Sequence, residues 1–163
     1  MQVSTDERKG FRYLVDALQI LKRDNPEIAQ NTEIVVVGGK ADSISSHLPF
    51  SIIPVSYVSD PQKMIALYNA VDLYVTPSLQ DNLPNTIMEA LACGTPCVGF
   101  DVGGIPEMID HKKNGYVARY KDSADFAEGI KWVLTSDHDT LSTKAREKVM
   151  NNYTEDIVAK KYI

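Results

Sequence analysis

The sequence predicts an α/β fold in which a parallel sheet carries helices on both faces. Two patterns predict it. Strand-like and helix-like segments alternate along the chain, and several of the strand-like segments are apolar runs typical of strands buried on both faces. With 163 residues, of which 44% are apolar, the chain is long enough for a sizeable core. We therefore expect a single domain over residues 1–163.

The first half of the chain contains two predicted helices and three predicted strands. The segment FRYLVDALQILKRD repeats apolar residues at helical spacing from Phe11 to Leu21. EIVVVGG is predicted to be a buried strand, and FSIIPVSYV a second strand that Pro54 interrupts. Asp60 as N-cap and Pro61 as first helical residue open the next helix, and VDLYVTPS is a further strand.

The second half continues the alternation. A helix is expected to begin at or near Pro84 and to end at Cys93, because Gly94 can adopt a left-handed cap and Pro96 cannot continue the helix. PCVGF is predicted to be a short strand, GGIPEMI a turn into a short helix, and GYVARY a last strand. The segments SADFAEGIKWVLTS and HDTLSTKAREKVMNNY are predicted to be helices, the second with an aspartate of DHD as its N-cap.

The composition argues against several classes of function. The net charge of −5 is the opposite of the basic excess that nucleic-acid-binding proteins usually carry. No apolar run reaches the roughly 18 residues that indicate a membrane span. Cys93 and Cys97 do not form the C-x-x-C pattern of zinc and redox sites, so we expect buried thiols in the cytoplasm. No metal site is expected either, because hard cations need several convergent oxygen ligands.

The segment SLQDNLPNTIMEA leads from a predicted strand into a predicted helix, which is where open parallel sheets bind ligands. The start of such a helix offers unpaired N–H groups and a partial positive charge, and both suit a phosphate. Glu89 shares a helical face with Asn85 and Thr86, and its side chain leans towards the amino terminus. A carboxylate there suits the hydroxyl pair of a ribose, and Asp81 in the loop suits a second set of hydroxyls.

The two acids also have a simpler interpretation. Glu89 would then be a solvated helix residue and Asp81 a turn residue or near-cap. Acids near helix starts are common because they interact favourably with the helix dipole. Spacing alone therefore leaves both interpretations open.

The segment DNLPNTIMEALACGTPCVGFDVGGIPEMI closely resembles the E-x7-E segment of the retaining GT-B glycosyltransferases of family 4. The typical string of that family is EGFPNxxxEAMACGxPVVxxxxGGxPE, and the PN, EA, CG, P and GGxPE elements are all in register. ERKGF, VVVGG and LYNAVDLYVTPS extend the match more weakly. The whole chain thus resembles the carboxyl-terminal, donor-binding half of such an enzyme, a Rossmann-like domain that forms one half of a GT-B fold.

The resemblance implies a role for each acid and for the basic residues near the amino end. Glu89 would bind the ribose diol of the donor nucleotide, and Asp81 would bind hydroxyls of the transferred sugar. Lys9 matches the lysine that contacts the diphosphate in the family, with Arg8 beside it. Lys9 and Asp81 are accordingly the residues from which we expect catalytic roles.

The resemblance also implies contacts to the rest of the donor. Tyr57 and Val58 fall where the base-binding loop of the family lies. The loop and the helix start that follows it would hold the sugar and the diphosphate, through Asn82, Leu83, Pro84, Asn85 and Thr86.

The activity implied is that of an enzyme of the hexosyltransferase type. It would transfer a sugar from a UDP- or GDP-sugar to an acceptor hydroxyl with retention of configuration, in cell-surface polysaccharide synthesis, without a metal or another cofactor. In the family an amino-terminal domain supplies the acceptor site and a further catalytic residue. We expect residues 1–163 to lack that domain, to bind donor weakly and not to turn over. Contact with the inner face of the membrane is expected only through the full-length enzyme.

Two positions depart from the family pattern. The first acid is Asp81 where the family usually has a glutamate, which shortens its reach by one methylene group. The phosphate-binding arginine of the family would fall at Val3, and Arg8 is the candidate to compensate for it. Two other functions remain open: the matching half of a GT-B sugar-nucleotide epimerase or phosphorylase, and a non-catalytic nucleotide-binding α/β module.

Overall fold

The computed structural model describes residues 7–38 and 47–160, apart from the side chains of residues 158 and 160. Its strands form two parallel ladders. β1 (Glu33–Val37) pairs with β2 (Ser51–Val55), and a three-stranded ladder has the order β3 (Tyr74–Thr76), β4 (Cys97–Phe100), β5 (Gly115–Ala118). Val36 of β1 and Val98 of β4 lie in the same cluster of buried side chains, so the two ladders share a core. The predicted α/β class is confirmed, and Val3, where the phosphate-binding arginine of the family would fall, lies outside the described residues.

The helices alternate with these strands. Near the amino end, a short 3-10 turn spans Glu7–Lys9. The α-helices are α1 (Phe11–Asp24), α2 (Pro26–Gln30), α3 (Pro61–Asn69), α4 (Asn85–Ala92), α5 (Ile105–Met108), α6 (Ser123–Thr135), α7 (His138–Asn152) and α8 (Glu155–Lys160). Within the described parts of the chain, no helix is both long and apolar enough to cross a membrane.

Helix boundaries follow the predicted caps. The Asp60 side chain accepts a hydrogen bond from the N–H of Gln62 at 2.9 Å, and that of Asp137 accepts one from the N–H of Thr140 at 3.0 Å. Gly94 has a φ of 85°, the left-handed conformation expected after α4. These contacts are local in sequence, which is why the pattern of residue types was enough to predict them.

Helices cover both faces of the three-stranded ladder, and β4 shows how. Val98 and Phe100 point into a core that they share with α1 and α6. Cys97 lies in a second core with residues of α3, α4, α5 and α7, and Gly99 packs against Ile105 on that side. Because successive side chains of a strand point to opposite faces, both faces of β4 are buried.

Strand β1 is more exposed than its apolar run predicts. Val36 is fully buried, whereas Glu33 is exposed and the other residues of the strand are half-buried. Both cysteines are unpaired thiols, and Cys97 is buried as expected, whereas Cys93 is only half-buried. Burial raises the pKa of the Cys97 thiol above its ordinary value, so the thiol stays neutral.

Candidate functional site

The loop from residue 77 to residue 84 connects β3 to α4 and carries Asp81. The turn that ends at Gly10 holds one side of it. Gly10 has a φ of 63°, and a Cβ at this position would lie 1.9 Å from the carbonyl oxygen of Pro77. The N–H of Leu79 donates to the carbonyl oxygen of Arg8 at 2.7 Å. Only glycine allows this approach, so the loop is fixed against the segment that carries Lys9.

A pair of glycines holds the other side of the loop. Gly103 and Gly104 follow β4. A Cβ on Gly103 would lie 1.8 Å from the carbonyl oxygen of Asp81, and a Cβ on Gly104 would lie 1.9 Å from the carbonyl oxygen of Asn82. The N–H of Gly104 donates to the carbonyl oxygen of Asp81 at 3.3 Å. The backbone at Asp81 is therefore positioned by loops that follow other elements, and its side chain remains available.

Lys9 and Asp81 meet at this loop. The Lys9 ammonium nitrogen lies 3.6 Å from Oδ2 of Asp81, and their side chains are 45% and 22% exposed. An ion pair that is this open to water contributes little to stability. Both charged groups are therefore placed side by side while remaining accessible to a ligand.

The start of α4 differs from an ordinary capped helix. Its N-cap is Pro84, whose side chain makes no capping hydrogen bond. The N–H of Ile87 donates to the carbonyl oxygen of Pro84 at 3.0 Å. Among the hydrogen bonds of residues 7–38 and 47–160, none uses the N–H of Asn85 or Thr86, which belong to the first donors at the positive end of the helix.

Glu89 lies one turn into α4 and has a tyrosine partner. The hydroxyl of Tyr68 in α3 donates to Oε2 of Glu89 at 3.1 Å. The Tyr68 ring packs edge-on against Tyr74 with a centroid separation of 5.8 Å. Burial raises the pKa of the Tyr74 hydroxyl above its ordinary value, so this hydroxyl stays neutral.

A profile of the family described as Glycosyl transferases group 1 matches residues 2–136, which is most of the chain. The chain belongs to this family. The match includes the loop from residue 77 to residue 84 and α4 with both acids.

Relatives of this group 1 glycosyltransferase chain are similar over nearly its whole length. The N-acetyl-alpha-D-glucosaminyl L-malate synthase of Bacillus anthracis is 27% identical over 150 residues, which are 91% of this chain and 36% of that protein. The first three curated relatives are all covered to between 36% and 41% of their own length. The chain therefore spans less than half of the length of these three curated relatives.

Solved structures show the same fold. The C-terminal domain of a glycosyl transferase group 1 family protein, LpcC of Francisella tularensis, aligns with a TM-score of 0.74 at 19% identity, over 94% of this chain and 83% of that one. HepE of Anabaena, solved in complex with UDP, aligns with a TM-score of 0.73 at 22% identity, over 99% of this chain and 47% of that one. The predicted Rossmann-like half of a GT-B glycosyltransferase is thereby confirmed as the fold.

The remaining predicted site residues are distributed over two strand ends. Arg8 is exposed beside Lys9, and Leu83 is 44% exposed next to Asn82, so both border the loop before α4. Tyr57 and Val58 follow β2, in the other ladder of this glycosyltransferase chain, and Tyr57 is 74% exposed. Their contact with a base stays a prediction from the resemblance.

Sequence reasoning missed the tyrosines of the site and the function of its glycines. Tyr68 and Tyr74 both lie in LYNAVDLYVTPS, a segment that resembles the glycosyltransferase family but was given no site residue. Two polar-tipped aromatic residues in predicted core positions are a signal, because a buried hydroxyl group needs a hydrogen-bond partner. Gly103 and Gly104 were part of the GGxPE match, but their contact with the Asp81 loop required the tertiary structure.

Proposed function

We propose that this chain holds the nucleotide-sugar donor of a retaining glycosyltransferase that transfers the sugar to an acceptor hydroxyl. One observation carries the proposal: the uncapped start of α4 lies between Asp81, which is paired with Lys9, and Glu89. A positive helix end flanked by two accessible carboxylates suits a ligand with phosphate in the middle and hydroxyls at both ends. A nucleoside diphosphate sugar has this order of groups.

The roles follow from the chemistry of each group. The Glu89 carboxylate accepts from the ribose diol, and the Asp81 carboxylate accepts from hydroxyls of the transferred sugar. The diphosphate lies against the free N–H groups of Asn85 and Thr86, with Lys9 alongside. UDP bound to the similarly folded HepE supports a nucleoside diphosphate as the ligand, and we propose a UDP- or GDP-sugar.

Catalysis in this proposal depends on the leaving group. When the bond between sugar and diphosphate breaks, negative charge develops on the diphosphate. The Lys9 ammonium and the positive end of α4 stabilise that charge because they are already oriented towards it. Asp81 holds the sugar in place through its hydroxyls, so that the acceptor attacks a positioned carbon atom.

The complete enzyme in this proposal contains an amino-terminal domain that supplies the acceptor site. The chain spans 36% of the length of the Bacillus anthracis relative, which leaves room for such a domain in that protein. We propose cell-surface polysaccharide synthesis as the process and the cytoplasm as the compartment. The unpaired thiols of Cys93 and Cys97 are typical of a reducing compartment.

Isothermal titration calorimetry of the chain with UDP, GDP and ADP tests the ribose assignment. We expect Glu89→Ala to lower the affinity for the tightest-binding of these nucleotides by about 10- to 100-fold, since a hydrogen bond to a charged group contributes about 1.5–3 kcal/mol. Glu128→Ala is the matched control, because Glu128 is an exposed helix carboxylate whose ion-pair partner is Lys131. If Glu89→Ala binds every nucleotide as tightly as the unmodified chain, the proposed donor site is wrong.

A further inference from the structure

We propose that Tyr68 is a positioning residue that sets the preference of this site for ribose over deoxyribose, by holding the carboxylate of Glu89. The inference rests on the proposed function and extends it to a residue outside the motif. The Tyr68 hydroxyl donates to Oε2 of Glu89 at 3.1 Å, across the interface between α3 and α4. Tyr68 is only 6% exposed, whereas Glu89 is exposed. A buried donor thus restrains a carboxylate that would otherwise sample several rotamers in water.

Tyr68 is itself held at both ends. Its ring is edge-on to the buried ring of Tyr74, with an interplanar angle of 76°. Its backbone carbonyl accepts a hydrogen bond at 2.7 Å from the hydroxyl of Thr95, a residue that is 2% exposed. The hydroxyl group of Tyr68 therefore has a defined position before any ligand binds, which is the requirement for positioning a second residue.

A tyrosine suits this role better than a lysine or an arginine would. A cation would neutralise the charge of Glu89 and occupy both of its oxygens, whereas one neutral hydroxyl group uses a single lone pair. Oε1 of Glu89 and the second lone pair of Oε2 remain for the two hydroxyls of a ribose. Fixing the rotamer in advance reduces the entropy lost when the ribose binds, so the gain applies to ligands that offer both hydroxyls.

The experiment compares a ribonucleotide with its 2′-deoxy counterpart. The tightest-binding of UDP, GDP and ADP and the matching 2′-deoxynucleoside diphosphate are titrated into the chain, Tyr68→Phe, Glu89→Gln and the double variant. We expect Tyr68→Phe to lower the affinity for the ribonucleotide about 2- to 10-fold, because the Glu89 side chain must then be immobilised when the nucleotide binds. The affinities of the unmodified chain and of Tyr68→Phe for the 2′-deoxynucleotide should agree within a factor of two. In the Glu89→Gln background, Tyr68→Phe should no longer weaken binding of the ribonucleotide.

Tyr116→Phe is the matched control. It removes another tyrosine hydroxyl that donates to a carboxylate, that of Asp125, at 2.9 Å. It should leave the ratio of ribonucleotide to deoxynucleotide affinity unchanged. Equal losses for both nucleotides in Tyr68→Phe, or an unchanged ratio, would overturn the positioning role. If Glu89→Ala also leaves binding unchanged, the donor site itself fails, so the two failures can be told apart.

A measurement on the unmodified chain covers the case in which Tyr68→Phe does not fold. With tyrosine labelled by ¹³C at Cζ, the resonance of Tyr68 is the one that shifts in Glu89→Gln without nucleotide. The ribonucleotide should shift the same resonance, and the 2′-deoxynucleotide should shift it less. No difference between the two nucleotides at saturation would overturn the proposal.

Discussion

Helices α4 and α6 each follow a strand of the same ladder, but their first turns are built differently. In α6 the Asp122 side chain accepts from the N–H of Asp125 at 3.0 Å. The Asp125 carboxylate accepts from the N–H of Arg119 at 2.7 Å and from the Tyr116 hydroxyl at 2.9 Å. In α4 the N-cap is a proline with no capping side chain. Among the described residues, neither Asp81, which pairs with Lys9, nor Glu89, which accepts from Tyr68, accepts from a backbone N–H with its side chain.

The difference separates a helix start that is complete by itself from one that is open to a ligand. The carboxylates at the start of α6 use their lone pairs within the protein, which favours folding. Within the described part of the chain, the N–H groups of Asn85 and Thr86 have no protein acceptor, which costs stability unless water or a ligand supplies one. Leaving donors unpaired at the carboxyl end of a parallel strand is what a phosphate site requires.

Giving α4 the kind of cap that α6 has should produce the largest effect. We expect Pro84→Asp to weaken nucleoside diphosphate binding at least about tenfold, because the new carboxylate takes the free N–H groups and repels the diphosphate. Pro84→Asn is the isosteric control, which caps without a charge and should lose less. Calorimetry at two salt concentrations measures the difference. Equal binding by Pro84→Asp and the unmodified chain would contradict the phosphate position.

Removing the cap of α6 should lower stability without changing nucleotide affinity. We expect Asp122→Ala to lower the free energy of unfolding by about 1 kcal/mol, the usual cost of a lost N-cap. Nucleotide affinity should not change. Urea unfolding and calorimetry measure the two effects, and Asp122→Asn keeps a capping oxygen as the control. A change in affinity larger than about threefold in Asp122→Ala, beyond the usual independence of distant sites, would show that the two helix starts are not independent.

The smallest effect concerns acid pH. Burial would raise the pKa of Asp125, but the Arg119 N–H, the Tyr116 hydroxyl and the Arg119 guanidinium outweigh it and lower the pKa below its ordinary 3.8. Because the pKa is lower in the folded state, the stabilisation is present above pH 3.8 and is lost as the pH falls below that value. The difference in unfolding free energy between the unmodified chain and Asp125→Asn should therefore shrink below about pH 4. A constant difference from pH 6 to pH 3 would contradict this.

The capped helices were predictable from the sequence, but much of the geometry of the site was not. Asp60 and Asp137 each lie within three residues of the N–H groups that they accept from, so local sequence contains both partners. Tyr68 and Glu89 are 21 residues apart, and their hydrogen bond depends on how α3 packs against α4. Hydrophobic periodicity predicts each helix, but it does not predict how the two helices pack against each other.

The exposure of β1 shows the same limit. An apolar run predicted burial on both faces, but only Val36 is fully buried. The run reports that the residues favour a strand, whereas the number of its covered faces depends on which helices pack there.

By itself, the sequence determined the alternation of strands and helices apart from α2 and α8, the aspartate caps of α3 and α7, and the segment that carries Asp81 and Glu89. Each of these depends on neighbours a few residues away, and residue type and spacing describe such neighbours fully. The tertiary structure decided that Lys9 lies beside Asp81, that Gly103 and Gly104 hold the loop, and that Tyr68 restrains Glu89. These contacts join segments that are distant along the chain, so they exist only once the strands and helices have packed into one core.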